Sequence, residues 1–314
     1  MNTLFITGAG GSVGQSLIKY FLSNNPKIRI KALERSEMAM AELLALYGNN
    51  QRVKPILADL LDFKGLQHEL QGCDAVIHCA ALKHVIIGKF YPERQAYENV
   101  TAFYNIISAA KAAGVPKFIF CSTDKAAQPT GVMGASKHLL EFICRDSATP
   151  TFNTATVRFA NIIGSNGSLL RVIDSRIKDG ADIVLRDERM TRFFLRQENA
   201  IALIDYALNH AHLGEIFVRD TPAARIKDVM EVVLEARNIP LSRIKPSREK
   251  IFENLYERLV APEEIEHTRI VDEVYFTVGG QKGAELSRLD AKRALSSSNG
   301  TIDKQAIKEL IYGK

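Results

Sequence analysis

An α/β fold, a parallel sheet covered on both faces by helices, is predicted by three features of this 314-residue chain. Short apolar runs bounded by turn residues alternate with amphipathic stretches through the first half, a glycine-rich turn joins the first run to the first such stretch, and no internal repeat or low-complexity tract competes. The expected strands are Thr3 to Thr7, Ile28 to Leu33, Val53 to Leu57, Ala75 to Cys79, Lys117 to Ser122 and Thr154 to Phe159. Most are near-continuous apolar runs, as strands buried on both faces are. Between them Gln15 to Ser23, Met38 to Tyr47, Lys64 to Leu70, Glu98 to Ala113 and Gly134 to Asp146 carry helical patterning. Gly114 and Pro116 stop the fourth helix ahead of a strand.

Beyond residue 160 the alternation loosens. Short strands at Ile183 to Leu185 and Glu215 to Val218 mix with helices at Leu169 to Lys178, Gln197 to Asn209 and Ile226 to Ala236. The expected division is a first domain over residues 1–160, with interleaved later segments near 181–220, and a smaller mixed α/β substrate domain mainly over 161–314. Ser296 to Gly300 is the one linker-like stretch, ahead of a short C-terminal helix.

With 46% hydrophobic and 25% charged residues, the chain is long enough for one large domain or two smaller ones, each with its own core. Its 41 basic and 36 acidic side chains are interleaved, for a formal charge of +5. Without a basic block or basic helical face, nucleic-acid binding is not expected, whereas a local site for an anionic small molecule is compatible. The four cysteines, Cys73, Cys79, Cys121 and Cys144, form no Cys-x-x-Cys pair and read as reduced core thiols; no metal site is expected. The Leu4-Phe5-Ile6 run is too short for a signal-peptide core and no stretch approaches a membrane span, so a cytoplasmic protein without membrane insertion is expected.

Gly8-Ala9-Gly10-Gly11-Ser12-Val13-Gly14 follows the first strand and opens the first helix. Glycines at Gly8, Gly11 and Gly14 let the chain turn sharply and let a pyrophosphate approach the free amides of the helix N-terminus, around Ser12 and Val13. With strand, loop and helix in this order, a Rossmann-type dinucleotide site outweighs a tight structural turn. Glu34, at the end of the second strand, is placed to bind both ribose hydroxyls of NAD, while Arg35 beside it suits the extra phosphate of NADP. The cofactor is therefore NAD or NADP, with a lean to NAD. Asp59 and Leu60 are candidates for the adenine end, against a solvated loop. Ala80 and Ala81 would let the cofactor pass close to the backbone, unless they are simply small core residues.

Ligands of open α/β sheets bind outside the carboxyl ends of the strands, where Ser122, Thr123, Asp124 and Lys125 follow the fifth strand. Met133 and Lys137, four residues apart on the next helix, share a face. Such a density of proton-handling groups points to an enzyme; the rival reading is an Asp124–Lys125 surface pair with Lys137 as a solvated helix lysine. Neighbouring strand residues face opposite ways, so Asp124 and Lys125 reach one ligand only if the chain leaves the extended form near Thr123.

The runs Ser122-Thr123-Asp124-Lys125-Ala126 and Met133-Gly134-Ala135-Ser136-Lys137 resemble the extended short-chain dehydrogenase/reductases of nucleotide-sugar metabolism. The similarity is greatest to inverting UDP-N-acetylglucosamine 4,6-dehydratases, in a variant with Met133 in place of the catalytic tyrosine. Ala80-Ala81-Leu82-Lys83-His84-Val85, Met190-Thr191-Arg192-Phe193 and Glu249-Lys250-Ile251-Phe252-Glu253 extend the resemblance over most of the chain. It implies that Thr123 and Met133 belong to the catalytic site. It also implies that Lys137 takes the C4 hydroxyl proton, Lys125 the C5 proton, and Asp124 protonates the departing C6 hydroxyl. It further implies Lys83, His84, Arg158, Asn161, Arg192 and Lys250 around a nucleotide-sugar substrate, and a homo-oligomer. Ala160, where relatives carry glycine, and the stretch Pro246 to Lys250 depart from the pattern. A nucleotide-sugar 4-epimerase and a non-catalytic cofactor-binding regulator are the alternative functions.

Overall fold

The computed structural model describes residues 1–83, 85–247, 253–280, 284–285 and 296–313. The first stretch of chain runs β1 (Thr3–Thr7), α1 (Ser12–Asn24), β2 (Arg29–Glu34), α2 (Glu37–Tyr47), β3 (Val53–Leu57), α3 (Phe63–Leu70) and β4 (Ala75–His78). It continues through α4 (Val85–Phe90), α5 (Pro92–Ala112), β5 (Lys117–Thr123), α6 (Val132–Asp146) and β6 (Asn153–Phe159). Then come β7 (Asn161–Ile162), α7 (Leu169–Lys178), β8 (Ile183–Leu185), β9 (Thr191–Leu195), α8 (Gln197–His210), β10 (Ile216–Arg219), β11 (Ala223–Arg225) and α9 (Ile226–Ala236). Last are β12 (Ile244–Pro246), β13 (Thr268–Asp272), β14 (Tyr275–Val278), β15 (Ala284–Glu285) and α10 (Lys304–Tyr312).

Two compact units result: Met1–Arg158 with Ile201–Phe217, and Phe159–Ala200 with Val218–Lys314. The segment that returns to the first unit is thus shorter than the 181–220 span expected from sequence.

In the first unit the strand order is β10-β6-β5-β4-β1-β2-β3, with β1 to β5 pairing in parallel. The chain builds outward from β1 to β3, then restarts on the other side of β1 with β4. The loops leaving β1 and β4 therefore diverge at the carboxyl ends of neighbouring strands, which opens a crevice there. Helix starts follow local chemistry: Asp62 accepts from the Gly65 amide at 3.1 Å to cap α3, and Pro92 occupies the first turn of α5. That proline sets the start of α5 ahead of the expected Glu98, and α4 was not anticipated.

Phe5, Phe103, Phe118, Phe120, Leu66 and Leu140 form the core between the sheet and helices α3, α5 and α6. His78 lies inside it, parallel to the Phe118 and Phe120 rings and hydrogen-bonded through Nδ1 to Thr7 Oγ1 at 2.8 Å. Burial drives its pKa down to about 3, with the Lys137 charge a smaller contribution, so the ring is neutral at ordinary pH.

The second unit holds a three-stranded sheet, β11-β9-β7, and the pair β12-β8. Leu170, Ile173, Phe194, Val233 and Ile307 are buried at its centre. Among the described residues no helix is long and apolar enough to cross a membrane.

Candidate active site

The turn after β1 is built so that backbone can meet backbone. Gly8 sits at φ +65°, and a β-carbon on it would stand 2.9 Å from Ala80 Cα at the end of β4. A β-carbon on Gly14 would stand 2.4 Å from the Gly8 carbonyl oxygen. Any side chain at either position must displace main chain, so the loop and the start of α1 keep their close approach only with glycine. The Gly11 amide closes the turn on the Gly8 carbonyl at 3.0 Å, and Ser12 and Val13 begin a helix whose first turn carries no acidic residue. The amides of a helix N-terminus, its positive end and walls without side chains fit a pyrophosphate.

Glu34 closes one side of this cradle. Its carboxylate accepts from the amides of Gly10 at 3.0 Å, Arg35 at 2.9 Å and Ser36 at 3.1 Å. Arg35 turns its guanidinium to Glu98 of α5 at 2.8 Å, with Asp59 at 3.9 Å. The hydrogen bond to Glu98 raises the Arg35 pKa above its ordinary value. Asp59 accepts from the Leu61 amide at 2.9 Å, whereas Leu60 belongs to the buried core cluster. Ala80 and Ala81 are half-buried, and the Ala80 amide donates to Thr7 Oγ1 at 3.3 Å. The next residue, Leu82, is tied to α5 by Asn99 and Gln95, both at 2.8 Å, which holds the loop leading to exposed Lys83.

The third component stands at the end of β5. The strand stops at Thr123 and a 3₁₀ turn covers Asp124–Ala126, which supplies the departure from extended backbone that two neighbouring functional residues require. Asp124 is buried and accepts from Thr123 Oγ1 at 2.9 Å and from Lys125 Nζ at 3.1 Å. A β-carbon on Gly134 would stand 2.6 Å from the Lys125 carbonyl oxygen, so glycine there lets the first turn of α6 lie against this turn. Met133 and Lys137 both point inward from α6 and are buried. Lys137 Nζ donates to the Cys121 carbonyl at 2.7 Å and lies 4.4 Å from the Phe120 ring centroid. Burial lowers its pKa to about 8, against the opposing pull of Cys121, Cys79 and Glu141. A solvated helix lysine is excluded.

One turn beyond Lys137, buried Glu141 receives Ser122 Oγ at 2.6 Å and the Arg158 guanidinium at 3.1 Å and 2.6 Å. This pair ties α6 to β5 and β6. It was missed in the sequence, although Met133, Lys137 and Glu141 recur at the helical interval of four. Cys79 and Cys121 bring their sulfurs within 3.4 Å on adjacent strands, the hydrogen bond between them raising the Cys79 pKa.

Two expected substrate cations are paired with carboxylates: Arg158 is wholly buried against Glu141, and buried Arg192 faces Glu253 at 3.0 Å and Glu257 at 3.4 Å. An arginine inside a domain needs a carboxylate partner, and each has found one at long sequence separation. Asn161 donates to the Phe193 carbonyl at 3.0 Å and joins β7 to β9. His84 and Lys250 lie outside the described residues.

Comparison with known proteins completes the picture. The sequence pattern of the polysaccharide biosynthesis protein family matches residues 4–278. A protein of Methanocaldococcus jannaschii named as an uncharacterized membrane protein is 34% identical over 99% of this chain and 96% of its own. A UDP-glucose 4-epimerase of Rickettsia massiliae is 32% identical over 84% of this chain and 79% of its own. Among solved structures, Pen from Bacillus thuringiensis superposes with a TM-score of 0.89 at 25% identity, covering 99% of this chain and 96% of that one. The dTDP-glucose 4,6-dehydratase DesIV of Streptomyces venezuelae superposes at 0.74 and 20% identity, covering 81% and 86%. The chain therefore belongs to the polysaccharide biosynthesis protein family and carries the α/β fold of the nucleotide-sugar dehydratases and epimerases among the extended short-chain dehydrogenase/reductases.

Proposed function

We propose that this protein is a cytoplasmic NAD(P)-dependent nucleotide-sugar 4,6-dehydratase acting on UDP-N-acetylglucosamine with inversion at C5, on the path to surface polysaccharide or glycan. The observation that carries the reading is the Asp124–Lys125 pair, lifted off the end of β5 by a 3₁₀ turn against which the Lys137 helix lies. An epimerase works at C4 alone and leaves that pair without a task. A dehydratase must also move a proton from C5 and deliver one to the C6 hydroxyl.

The dinucleotide would be held by Gly8, Gly11, Gly14 and the amides of Ser12 and Val13, with Glu34 toward the ribose. The carboxylates around Arg35 favour NAD over NADP. When bound, the nicotinamide supplies an acceptor for hydride that returns it later in the same turnover. The remaining chemistry belongs to the side chains. Lys137, with its pKa lowered to about 8, takes the C4 hydroxyl proton without a phenol, and Met133 fills the space beside it. The proton shared by the pair passes from Lys125 to Asp124, which leaves a neutral amine at Lys125 to draw the C5 proton and a carboxylic acid at Asp124 to hand one to the leaving C6 hydroxyl, while Thr123 steadies Asp124. Exposed Lys83 is a cation for the substrate. The exposed Tyr97 and Tyr104 of α5 and Leu139 and Phe142 of α6 support a homo-oligomer.

The epimerase reading is kept because relatives such as the Rickettsia protein carry that name. Proton NMR of UDP-N-acetylglucosamine and UDP-glucose incubated with the protein in deuterated water separates the two. A new C6 methyl signal, collapsed from a doublet to a singlet by deuterium at C5, is expected. A galacto-configured product with an intact C6 hydroxymethyl group would sink the dehydratase reading, and neither product would leave the regulator.

A further inference from the structure

The ion-pair arrangement at the end of β2 points to a discriminating residue that lies on neither the glycine loop nor β2. Arg35 is the first cation after the acid expected to bind the ribose, and by position alone it would welcome a 2′-phosphate. It is not free to do so. Its guanidinium bonds to Glu98 at 2.8 Å, with Asp59 at 3.9 Å, while Glu34 lies beside it in sequence. Two carboxylates thus face this cation, and the charge of Glu34 adds to theirs.

Glu98 differs from the other two. It projects from α5, from a point 63 residues away in sequence, and only 8% of its side chain is exposed although Arg35 is 48% exposed. Arg94, one turn earlier on α5, holds its other oxygen. Burial by itself would raise the Glu98 pKa, but the bonds and charges of Arg35 and Arg94 outweigh it and the pKa is lowered, so the charge persists at neutral pH. A rigid, desolvated anion anchored by a second arginine is a stronger competitor for Arg35 than a loop carboxylate.

We propose that Glu98 is a specificity-determining residue of the dinucleotide site, which favours an unphosphorylated adenosine ribose by sequestering the Arg35 guanidinium and setting a fixed negative charge where a 2′-phosphate would lie. The inference rests on the dinucleotide-site reading above. It adds that the choice between NAD and NADP is made from α5.

Calorimetric titration of the purified protein with NAD and with NADP tests it, any co-purified dinucleotide being identified by mass spectrometry and removed first. The original chain is expected to bind NAD more tightly. In Glu98→Gln, which keeps the shape but leaves a single acceptor oxygen for two arginines, the affinity for NADP should rise roughly tenfold relative to NAD, because a like-charge contact is removed and a guanidinium released. Adding Arg35→Ala to Glu98→Gln should abolish that gain, whereas Arg35→Ala in the original chain should shift the ratio by less than about threefold. A ratio unchanged in Glu98→Gln, or a gain that survives without Arg35, overturns the proposal while leaving the dinucleotide site intact. Binding of neither dinucleotide by the original chain would instead overturn the reading beneath it.

Discussion

Two ion pairs flank α6, and they differ in one respect that separates architecture from chemistry. Glu141 and Arg158 are both buried, with side-chain exposures of 4% and 0%, and their charges meet twice while Ser122 takes a further contact. Asp124 is as deeply buried, at 1%, but its partner Lys125 keeps 21% of its side chain open. A closed pair can only hold strands and helix together, since its charges are satisfied and out of reach of a ligand. A pair open at one end can exchange its proton with something that arrives.

Breaking the closed pair should have the largest effect on the fold. Glu141→Ala leaves the Arg158 charge buried without its bidentate partner, and a loss of about 3–5 kcal/mol is expected in denaturant unfolding. A loss below about 1 kcal/mol would show that the pair contributes little to the architecture.

Breaking the open pair should affect turnover more than stability. Lys125→Ala is expected to lower the C5 exchange rate with solvent deuterium by roughly 10²-fold or more, with a smaller loss of stability than Glu141→Ala. Unchanged deuterium incorporation would remove Lys125 from its assigned role.

The pH profile sharpens the comparison at Lys137. Burial lowers its pKa to about 8, so the neutral amine needed to take a proton is scarce below that pH and grows as pH rises through it. The rate should therefore climb by up to about tenfold per pH unit below 8 and level off above. The linked stability has the same sign: between about 8 and the unfolded value of 10.5 the unfolded chain holds a proton that the folded one has released, so stability rises with pH across that window. A rate independent of pH between roughly 6 and 9 would exclude the amine as the base.

Met133→Leu should have the smallest effect. If methionine only fills space where a tyrosine might stand, a volume-conserving change costs less than about 1.5 kcal/mol and leaves the rate within about threefold. A large drop in rate with stability retained would give the thioether a part in the reaction.

Periodicity and turn chemistry are local properties, and what depends on them could be read from the chain alone. β1, β3, β8, α7 and α9 begin and end where the apolar pattern and its breakers place them. The glycine loop between β1 and α1 carries its purpose in its order of residues, because only glycine lets main chain pass main chain at Gly8 and Gly14. The interval of four from Met133 to Lys137 likewise puts both on one helical face whatever the rest of the molecule does.

Which charges meet, and how much water they keep, was decided only by tertiary structure. Arg35 finds Glu98, Arg192 finds Glu253, and Arg158 finds Glu141, over separations of 63, 61 and 17 residues. No local pattern announces such partners, since any carboxylate brought within reach by the crossing of strands and helices will satisfy a buried guanidinium. The same holds for Lys137, which becomes a base near neutral pH because packing against Phe120 and the Cys121 carbonyl strips its solvent. A lysine in a sequence carries no mark of its own hydration, and hydration sets its pKa.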